Sequence, residues 1–357
     1  MNPLQQLRTL GQSVWLDSIQ RSYLEPDGYL DQLIGAGEID GLTSNPTIFE
    51  QALGKDPSYA AQLAELKGSD PREALWALMK ADVKGACDKF LPLYHESDGA
   101  LGYVSIEVDP SKAFDTAATT DEGLKLFAEL DRPNLMIKVP GTEPGLEAIS
   151  RLLAEGVNVN VTLLFSVERY EAVIAAYLDG LRRRAAAGGD LRRLASVASF
   201  FVSRVDNKVD ALLGAEHPRL ATAAIANARL AYGSFVREFG GPAFAELAAQ
   251  GAKVQRPLWA STSTKNPAYR DVLYVEELAG PDTVNTMPEV TLDAMRDHGI
   301  VENRISGSAG EAKDQLERLA EEGIDLGQIT KELEAEGVEK FVTSFDAAVA
   351  AVAAHVS

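Results

Sequence analysis

Cysteine is almost absent from this sequence, since Cys87 is the only one among 357 residues. A single thiol excludes a framework of intrachain disulfides, which many small secreted proteins need. The segment 1–6, MNPLQQ, also lacks the basic start and apolar run that are typical of a secretory signal. Both features fit a reducing compartment, and we therefore expect the protein to act in the cytoplasm.

Histidine is scarce too, and the four that occur lie far apart, at His95, His217, His298 and His355. None of them belongs to a His-x-x-x-His arrangement, and the lone cysteine cannot form a Cys-x-x-Cys pair. We therefore expect no site for a first-row transition metal.

Long hydrophobic runs and an excess of positive charge are also missing. No stretch of about 18 or more consecutive apolar residues occurs, so no membrane-spanning helix is expected. The chain carries 34 basic and 53 acidic residues, a formal net charge of −19. So acidic a protein repels phosphate backbones and anionic lipids, which disfavours nucleic acid and membranes as partners. An anionic ligand would need basic residues gathered at its site.

Apolar runs and helical patterns alternate along most of the chain. The eight runs lie at residues 13–17, 39–45, 101–108, 135–139, 157–163, 195–202, 257–262 and 283–287. Amphipathic helical patterns separate them, for example at 72–93, 143–154 and 166–187. This alternation favours a (β/α)8 barrel with one parallel sheet, and a doubly wound open sheet remains the rival fold.

The length alone would suggest two domains, but α/β barrels of this size form one. We therefore expect a single domain over residues 1–357. Residues 47–100 are interpreted as a helical insertion between the second and third strands. Residues 305–357 are interpreted as helices that follow the eighth strand.

Several strands carry polar residues on one face, although both faces of a parallel strand are normally buried and apolar. Alternate positions of a strand share a face. The polar face holds Ser13 and Asp17 in the first strand, Ser105 and Glu107 in the third, Lys138 in the fourth, and Asn158, Asn160 and Thr162 in the fifth. A half-exposed antiparallel sheet would alternate in the same way, but helices of crossover length separate these strands. The pattern therefore indicates a barrel mouth that carries chemistry.

Lys138 is the most informative of these residues because apolar neighbours surround it in the sequence. A buried lysine can be one half of an ion pair, or it can be a nucleophile. Desolvation favours the free amine, which can attack a carbonyl carbon. Glu107 and Asp17 in the same barrel could exchange protons with the intermediates, or could simply neutralise Lys138.

Four segments in this order resemble the motifs of the transaldolase family of class I, Schiff-base aldolases. They are GLTSNPTIF at 41–49, SIEVD at 105–109, IKVPGT at 137–142 and NVTLLFS at 160–166. The resemblance implies a barrel enzyme without cofactor or metal, which agrees with the scarcity of histidine. It further implies a three-carbon ketol transfer between sugar phosphates in the non-oxidative pentose phosphate pathway.

The resemblance also implies roles for individual residues. Lys138 would form the Schiff base with a ketose phosphate. Glu107, with Thr162 holding a water, would carry the proton transfers of dehydration and imine hydrolysis. Asp17 would take the proton of the C4 hydroxyl during carbon–carbon cleavage. Asn45 and Asn160 would bind the dihydroxyacetone moiety.

The family's phosphate ligands correspond to Ser199 and Arg204 in the segment ASFFVSRVD at 198–206. A capping serine and a surface salt bridge would explain the same two residues without a ligand. The family's second phosphate arginine has no clear counterpart, and Lys265 in the segment 259–267 stands in its place. Arg270 is a second candidate.

Two other functions remain open at this point. One is a ketose-phosphate aldolase that releases its products without transfer, and the other is a barrel that only binds sugar phosphate. A binding protein needs no proton-relay residues, so Lys138, Glu107, Thr162 and Asp17 favour an enzyme. The sequence leaves open whether the protein is a monomer or a homodimer.

Overall fold

Eight parallel strands close into a barrel in the computed structural model, which describes residues 1–357. The strands are β1 (Gln12–Leu16), β2 (Gly41–Thr43), β3 (Tyr103–Glu107), β4 (Leu135–Pro140), β5 (Val159–Leu164), β6 (Ser196–Phe201), β7 (Arg256–Ala260) and β8 (Thr283–Met287). Each strand pairs with the next, and β1 pairs with β8 over residues 12–16 and 283–287. This closure confirms the (β/α)8 barrel with extra helices and excludes the open doubly wound sheet.

Fifteen α-helices accompany the strands. They are α1 (Pro3–Leu10), α2 (Tyr29–Gly35), α3 (Pro46–Leu53), α4 (Ala60–Glu65), α5 (Pro71–Glu96), α6 (Thr116–Leu130), α7 (Glu143–Ala154), α8 (Val167–Ala186), α9 (Ser203–Leu213), α10 (Ala223–Phe239), α11 (Pro242–Ala248), α12 (Leu273–Glu277), α13 (Glu289–His298), α14 (Ala309–Glu321) and α15 (Leu326–Val356). Short 3-10 helices lie at Arg21–Leu24, Pro57–Tyr59 and Pro110–Lys112. No helix is both long and apolar enough to span a membrane.

Local sequence explains where the helices next to the site begin. Asn45 accepts a hydrogen bond from the Ile48 amide and so caps α3, with Pro46 in its first turn. Thr142 caps α7 through the Gly145 amide in the same way. These caps satisfy backbone donors that a helix start leaves without partners, and they fix how the chain leaves β2 and β4.

The predicted apolar runs overlap all eight strands but extend beyond several of them. The run 39–45, for example, contains a ladder of only three residues, Gly41–Thr43. Ile39 and Ser44 are fully buried on either side of it. Burial therefore continues past the point where strand pairing ends, and hydrophobicity alone cannot mark that point.

The helix α15 has 31 residues and crosses the C-terminal end of the barrel. It packs against α3, α5 and α9 and approaches β5. The ring of Phe345 in α15 lies 5.7 Å from that of Trp76 in α5. One continuous hydrophobic core includes residues of the barrel, of α3 to α5 and of α15. The last helix thus covers the end of the barrel where barrel enzymes carry their active sites.

Candidate active site

A cavity of about 620 Å³ lies at the C-terminal end of the barrel, under α15. Its walls come from the ends of the strands and from α3, α9 and α15. They include seven of the nine residues singled out in the sequence, namely Asp17, Asn45, Lys138, Thr162, Ser199, Arg204 and Lys265. Glu107 and Asn160 lie directly behind this wall, almost completely buried.

Lys138 is the fourth residue of β4, and its side chain points into the barrel. Only 4% of the residue is exposed. Its Nζ lies 3.1 Å from Oε2 of Glu107, and it donates a hydrogen bond of 3.2 Å to the carbonyl oxygen of Ser44. The pairing of β3 with β4 sets Glu107 directly beside Lys138. The lysine is therefore held by groups that leave its amine facing the cavity.

Glu107 is a buried carboxyl whose protonation the site can change. Burial raises the pKa of Glu107 above its ordinary value, and the nearby Lys138 opposes that shift. No hydroxyl or amide donates to its oxygens in addition. A buried carboxyl with a raised pKa holds its proton more tightly than an exposed one, and it can donate that proton to a group bound in the cavity.

Asp17 follows β1 and is partly exposed to the cavity. Burial raises its pKa, whereas Lys138, Arg204 and Lys265 act in the opposite direction. Its backbone amide donates a hydrogen bond of 2.8 Å to the carbonyl of Met287 at the end of β8, which fixes the backbone of Asp17. The site therefore contains two carboxyl groups, on β1 and β3, that face the same lysine.

Thr162 lies at an irregularity in β5. The pairing with β6 shifts between Val161 and Leu164, and Leu163 has a left-handed backbone with φ of 61°. Such a conformation is costly for a branched side chain, and it occurs where a strand must redirect its residues. The buried hydroxyl of Thr162 has no partner in the protein. It is free to bind a molecule in the cavity.

Behind Lys138, two hydrogen bonds connect the side chains of Ser199, Asn160 and Ser105. Ser199 Oγ donates to Oδ1 of Asn160 at 2.7 Å, and Asn160 Nδ2 donates to Ser105 Oγ at 3.0 Å. Ser199 is therefore neither a helix cap nor a free hydroxyl. Asn45 uses its Oδ1 to cap α3, so its Nδ2 remains available to a ligand.

Basic side chains gather at the outer part of the cavity. Arg204, at the start of α9, stacks on the ring of Phe201 at 5.0 Å and has no acidic partner at ion-pair distance. Burial lowers the pKa of its guanidinium. Lys265 also lines the cavity, whereas Arg270 binds Glu276 through two hydrogen bonds of 2.9 Å and does not line it. The structure therefore favours Lys265 over Arg270 as the second cation.

Sequence reasoning missed the contribution of α15. The ring of Phe341 lies 5.6 Å from the Lys138 Nζ, and Leu333, Glu336 and Lys340 also line the cavity. Their spacing of three and four residues is that of one helix face. The sequence pattern did indicate helices in this region. A single sequence does not indicate, however, that one face of such a helix covers a site formed by much earlier residues.

The fold and the cavity place the protein in the class of α/β-barrel enzymes that carry a buried lysine and carboxyl groups at the C-terminal mouth. The chain belongs to the transaldolase/fructose-6-phosphate aldolase family, whose model matches residues 14–352.

Relatives of nearly full length support the same assignment. The chain is 51% identical to a transaldolase of Acidothermus cellulolyticus, over 98% of this chain and 96% of that protein. It is 50% identical to a transaldolase of Mycolicibacterium smegmatis, over 96% and 95%. It is 46% identical to a transaldolase of Thiobacillus denitrificans, over 99% and 100%.

Proposed function

We propose that this chain is a transaldolase, which moves a dihydroxyacetone unit from a ketose phosphate to an aldose phosphate. The donors would be sedoheptulose 7-phosphate or fructose 6-phosphate, and the acceptors glyceraldehyde 3-phosphate or erythrose 4-phosphate. The observation that carries the proposal is the buried Lys138 with Glu107 at 3.1 Å, in a chain so similar to named transaldolases.

In the first half of the reaction, the free amine of Lys138 attacks the C2 carbonyl of the donor. The resulting carbinolamine loses water as Glu107 donates a proton to the departing hydroxyl, and an imine forms. The raised pKa of Glu107 supports this role, because burial favours the protonated form of the carboxyl, which is the form that can donate a proton. Thr162 offers a free hydroxyl in the cavity that can hold the departing water.

In the second half, Asp17 removes the proton of the C4 hydroxyl, and the C3–C4 bond breaks. The aldose leaves, and its bonding electrons remain on the dihydroxyacetone–lysine adduct as an enamine. The enamine then attacks the aldehyde of the acceptor, Asp17 returns its proton, and water hydrolyses the new imine. Asn45 Nδ2 and Asn160 would hold the hydroxyl groups of the three-carbon unit, while Arg204 and Lys265 would bind the phosphate. The hydroxyl of Ser199 already donates its only proton to Asn160 Oδ1, so Ser199 would orient this amide and would not bind the phosphate as the sequence suggested.

We also propose that residues 1–357 form one domain, with 47–100 and 305–357 as parts of it. The shared hydrophobic core supports this view. The buried, lone thiol of Cys87 is compatible with action in the cytoplasm.

The deciding experiment is a transfer assay with fructose 6-phosphate as donor, run with and without erythrose 4-phosphate. A transaldolase forms sedoheptulose 7-phosphate and releases little free dihydroxyacetone. Equal release of dihydroxyacetone with and without acceptor would instead support a simple aldolase, which the family name also allows. Phosphate binding without turnover of either kind would support a barrel that only binds sugar phosphate.

A further inference from the structure

The cavity contains a third basic residue, Lys340, that the proposed phosphate site does not use. It lies on α15 at the solvent-exposed rim of the cavity, and it has no acidic partner at ion-pair distance. Burial lowers its pKa, and the charges of Arg204 and Lys265 lower it further. Three cations thus lie near one another in a cavity of a protein whose net charge is −19.

Lys208 lies in the same region but differs from these three residues, because it forms ion pairs within the protein. It also lines the cavity, but its Nζ binds Glu332 at 2.9 Å and Glu336 at 2.7 Å. Its charge is therefore compensated within the protein. Arg204, Lys265 and Lys340 form no such ion pair, and the repulsion among their like charges raises the free energy of the empty site.

The close fit of α15 on the barrel fixes where the backbone of Lys340 lies. A Cβ atom at Gly337 would lie 3.0 Å from Leu163 Cδ2 and 3.7 Å from Arg204 Nη1. Glycine thus lets the helix axis approach the mouth of the barrel. Lys340 lies three residues later, on nearly the same face, and Phe341 follows it beside Lys138.

We propose that Lys340 binds the phosphate group of the substrate together with Arg204 and Lys265, so that the last helix supplies part of the phosphate site. The inference rests on the proposed function, since it needs an anionic group on the ligand. A phosphate dianion would relieve the repulsion among the three cations. Arginine can bind it through two parallel hydrogen bonds, while each lysine adds a point charge.

A second explanation for Lys340 is that it offsets the charge of Glu50 in α3, which raises the pKa of the lysine through space. The two side chains form no ion pair. If this were the role of Lys340, its loss would reduce stability and leave phosphate binding unchanged. The two explanations therefore differ in what a binding measurement shows.

The test is the binding of inorganic phosphate, measured by calorimetry on the full-length protein. Lys340→Met removes the charge and keeps most of the aliphatic chain. We expect its dissociation constant for phosphate to rise roughly tenfold, the size of one hydrogen bond to a charged group. Lys340→Arg should keep most of the affinity. Lys331→Met is the matched control, because Lys331 is exposed on the same helix, as Lys340 is, but does not line the cavity.

The kinetic counterpart is the KM for fructose 6-phosphate, which should rise by a similar factor in Lys340→Met while kcat changes little. Thermal unfolding should show that the variant is at least as stable as the wild type, because the repulsion among the cations is reduced. Should Lys340→Met fail to fold, Lys340→Gln makes the same test with a polar side chain.

The inference is overturned if Lys340→Met binds phosphate as the wild type does, or if the wild type binds none. It stands, and the transaldolase proposal falls, if phosphate binding depends on Lys340 but no transfer occurs. If the protein catalyses transfer but its affinity for phosphate does not depend on Lys340, the transaldolase proposal stands and this inference falls.

Discussion

The two ends of the barrel treat buried charge in different ways. At the N-terminal end, Asp40 is buried and Arg8 lies 3.3 Å from it, while Arg256 donates to Ser13 at 2.9 Å and faces the same carboxylate. At the C-terminal mouth, Arg204, Lys265 and Lys340 have no acidic partner at ion-pair distance. The first end surrounds its buried carboxylate with arginines, whereas the second holds three cations without an ion pair.

This difference shows where the chain gives up stability for function. An uncompensated cation or a hydroxyl without a partner makes the folded state less stable, and it is available to bind a substrate. We expect changes at the mouth to alter kinetics with little loss of stability. Changes at the opposite end should do the reverse.

The two carboxyl groups of the mouth should give the largest kinetic effects. General acid–base groups contribute about 10²–10⁴-fold each. Glu107→Gln should slow imine formation and hydrolysis, because the amide cannot transfer a proton. Asp17→Asn should let the imine form but block carbon–carbon cleavage. Borohydride trapping and steady-state turnover measure the two steps separately. If Asp17→Asn forms no adduct while Glu107→Gln is trapped normally, the roles are reversed.

Replacing Arg204 with Ala should have the next largest effect. The KM for phosphorylated substrates should rise by an amount corresponding to about 1.5–3 kcal/mol, the value of a hydrogen bond to a charged group. Unphosphorylated fructose should be affected little, so comparison of fructose with fructose 6-phosphate isolates the phosphate. An equal loss on both substrates would mean that Arg204 supports the fold.

At the opposite end, Arg256→Met should reduce stability by about 1–3 kcal/mol at pH 8 and leave kcat and KM unchanged. The reason is that Asp40 would remain charged and buried with only Arg8 to compensate it. Adding Asp40→Asn should restore most of the loss. Urea unfolding of the single and double variants measures both effects, and a double variant less stable than Arg256→Met would contradict the account.

The stability loss of Arg256→Met should depend on pH, and the titration of Asp40 sets its sign. Burial raises the pKa of Asp40 above its ordinary value, so the folded protein holds a proton that the unfolded chain releases. Stability therefore falls as the pH rises through the raised pKa. Removing Arg256 should raise that pKa further, and the stability loss of Arg256→Met should shrink as the pH is lowered towards it. A loss independent of pH would show that Asp40 is not involved.

Much of the fold could be predicted from the sequence, because apolar residues recur with different periods in strands and in helices. Eight strands that alternate with helices are compatible with few architectures. The alternation of faces also predicted that Lys138 and Glu107 point into the barrel. The same pattern could not separate function from structure, however. Asn158 immediately precedes β5 and continues its polar face, yet its Nδ2 donates to the carbonyls of Pro133 and Leu135.

What the sequence did not predict depends on contacts between distant segments. No glycine or proline near Leu163 indicates the backbone irregularity at this residue. Whether Arg270 or Lys265 is free depends on Glu276, which binds only one of them. The placement of Lys340 and Phe341 requires the whole path of α15 across the mouth. Single-sequence periodicity contains none of this information.

The most direct test of the account is reduction with borohydride in the presence of fructose 6-phosphate, followed by peptide mass mapping. The account predicts irreversible loss of activity and a three-carbon adduct on the peptide that contains Lys138. The Lys138→Ala protein should form no adduct and have no transfer activity. An adduct on another lysine, or an adduct of equal yield in Lys138→Ala, would contradict the central claim that this residue is the nucleophile.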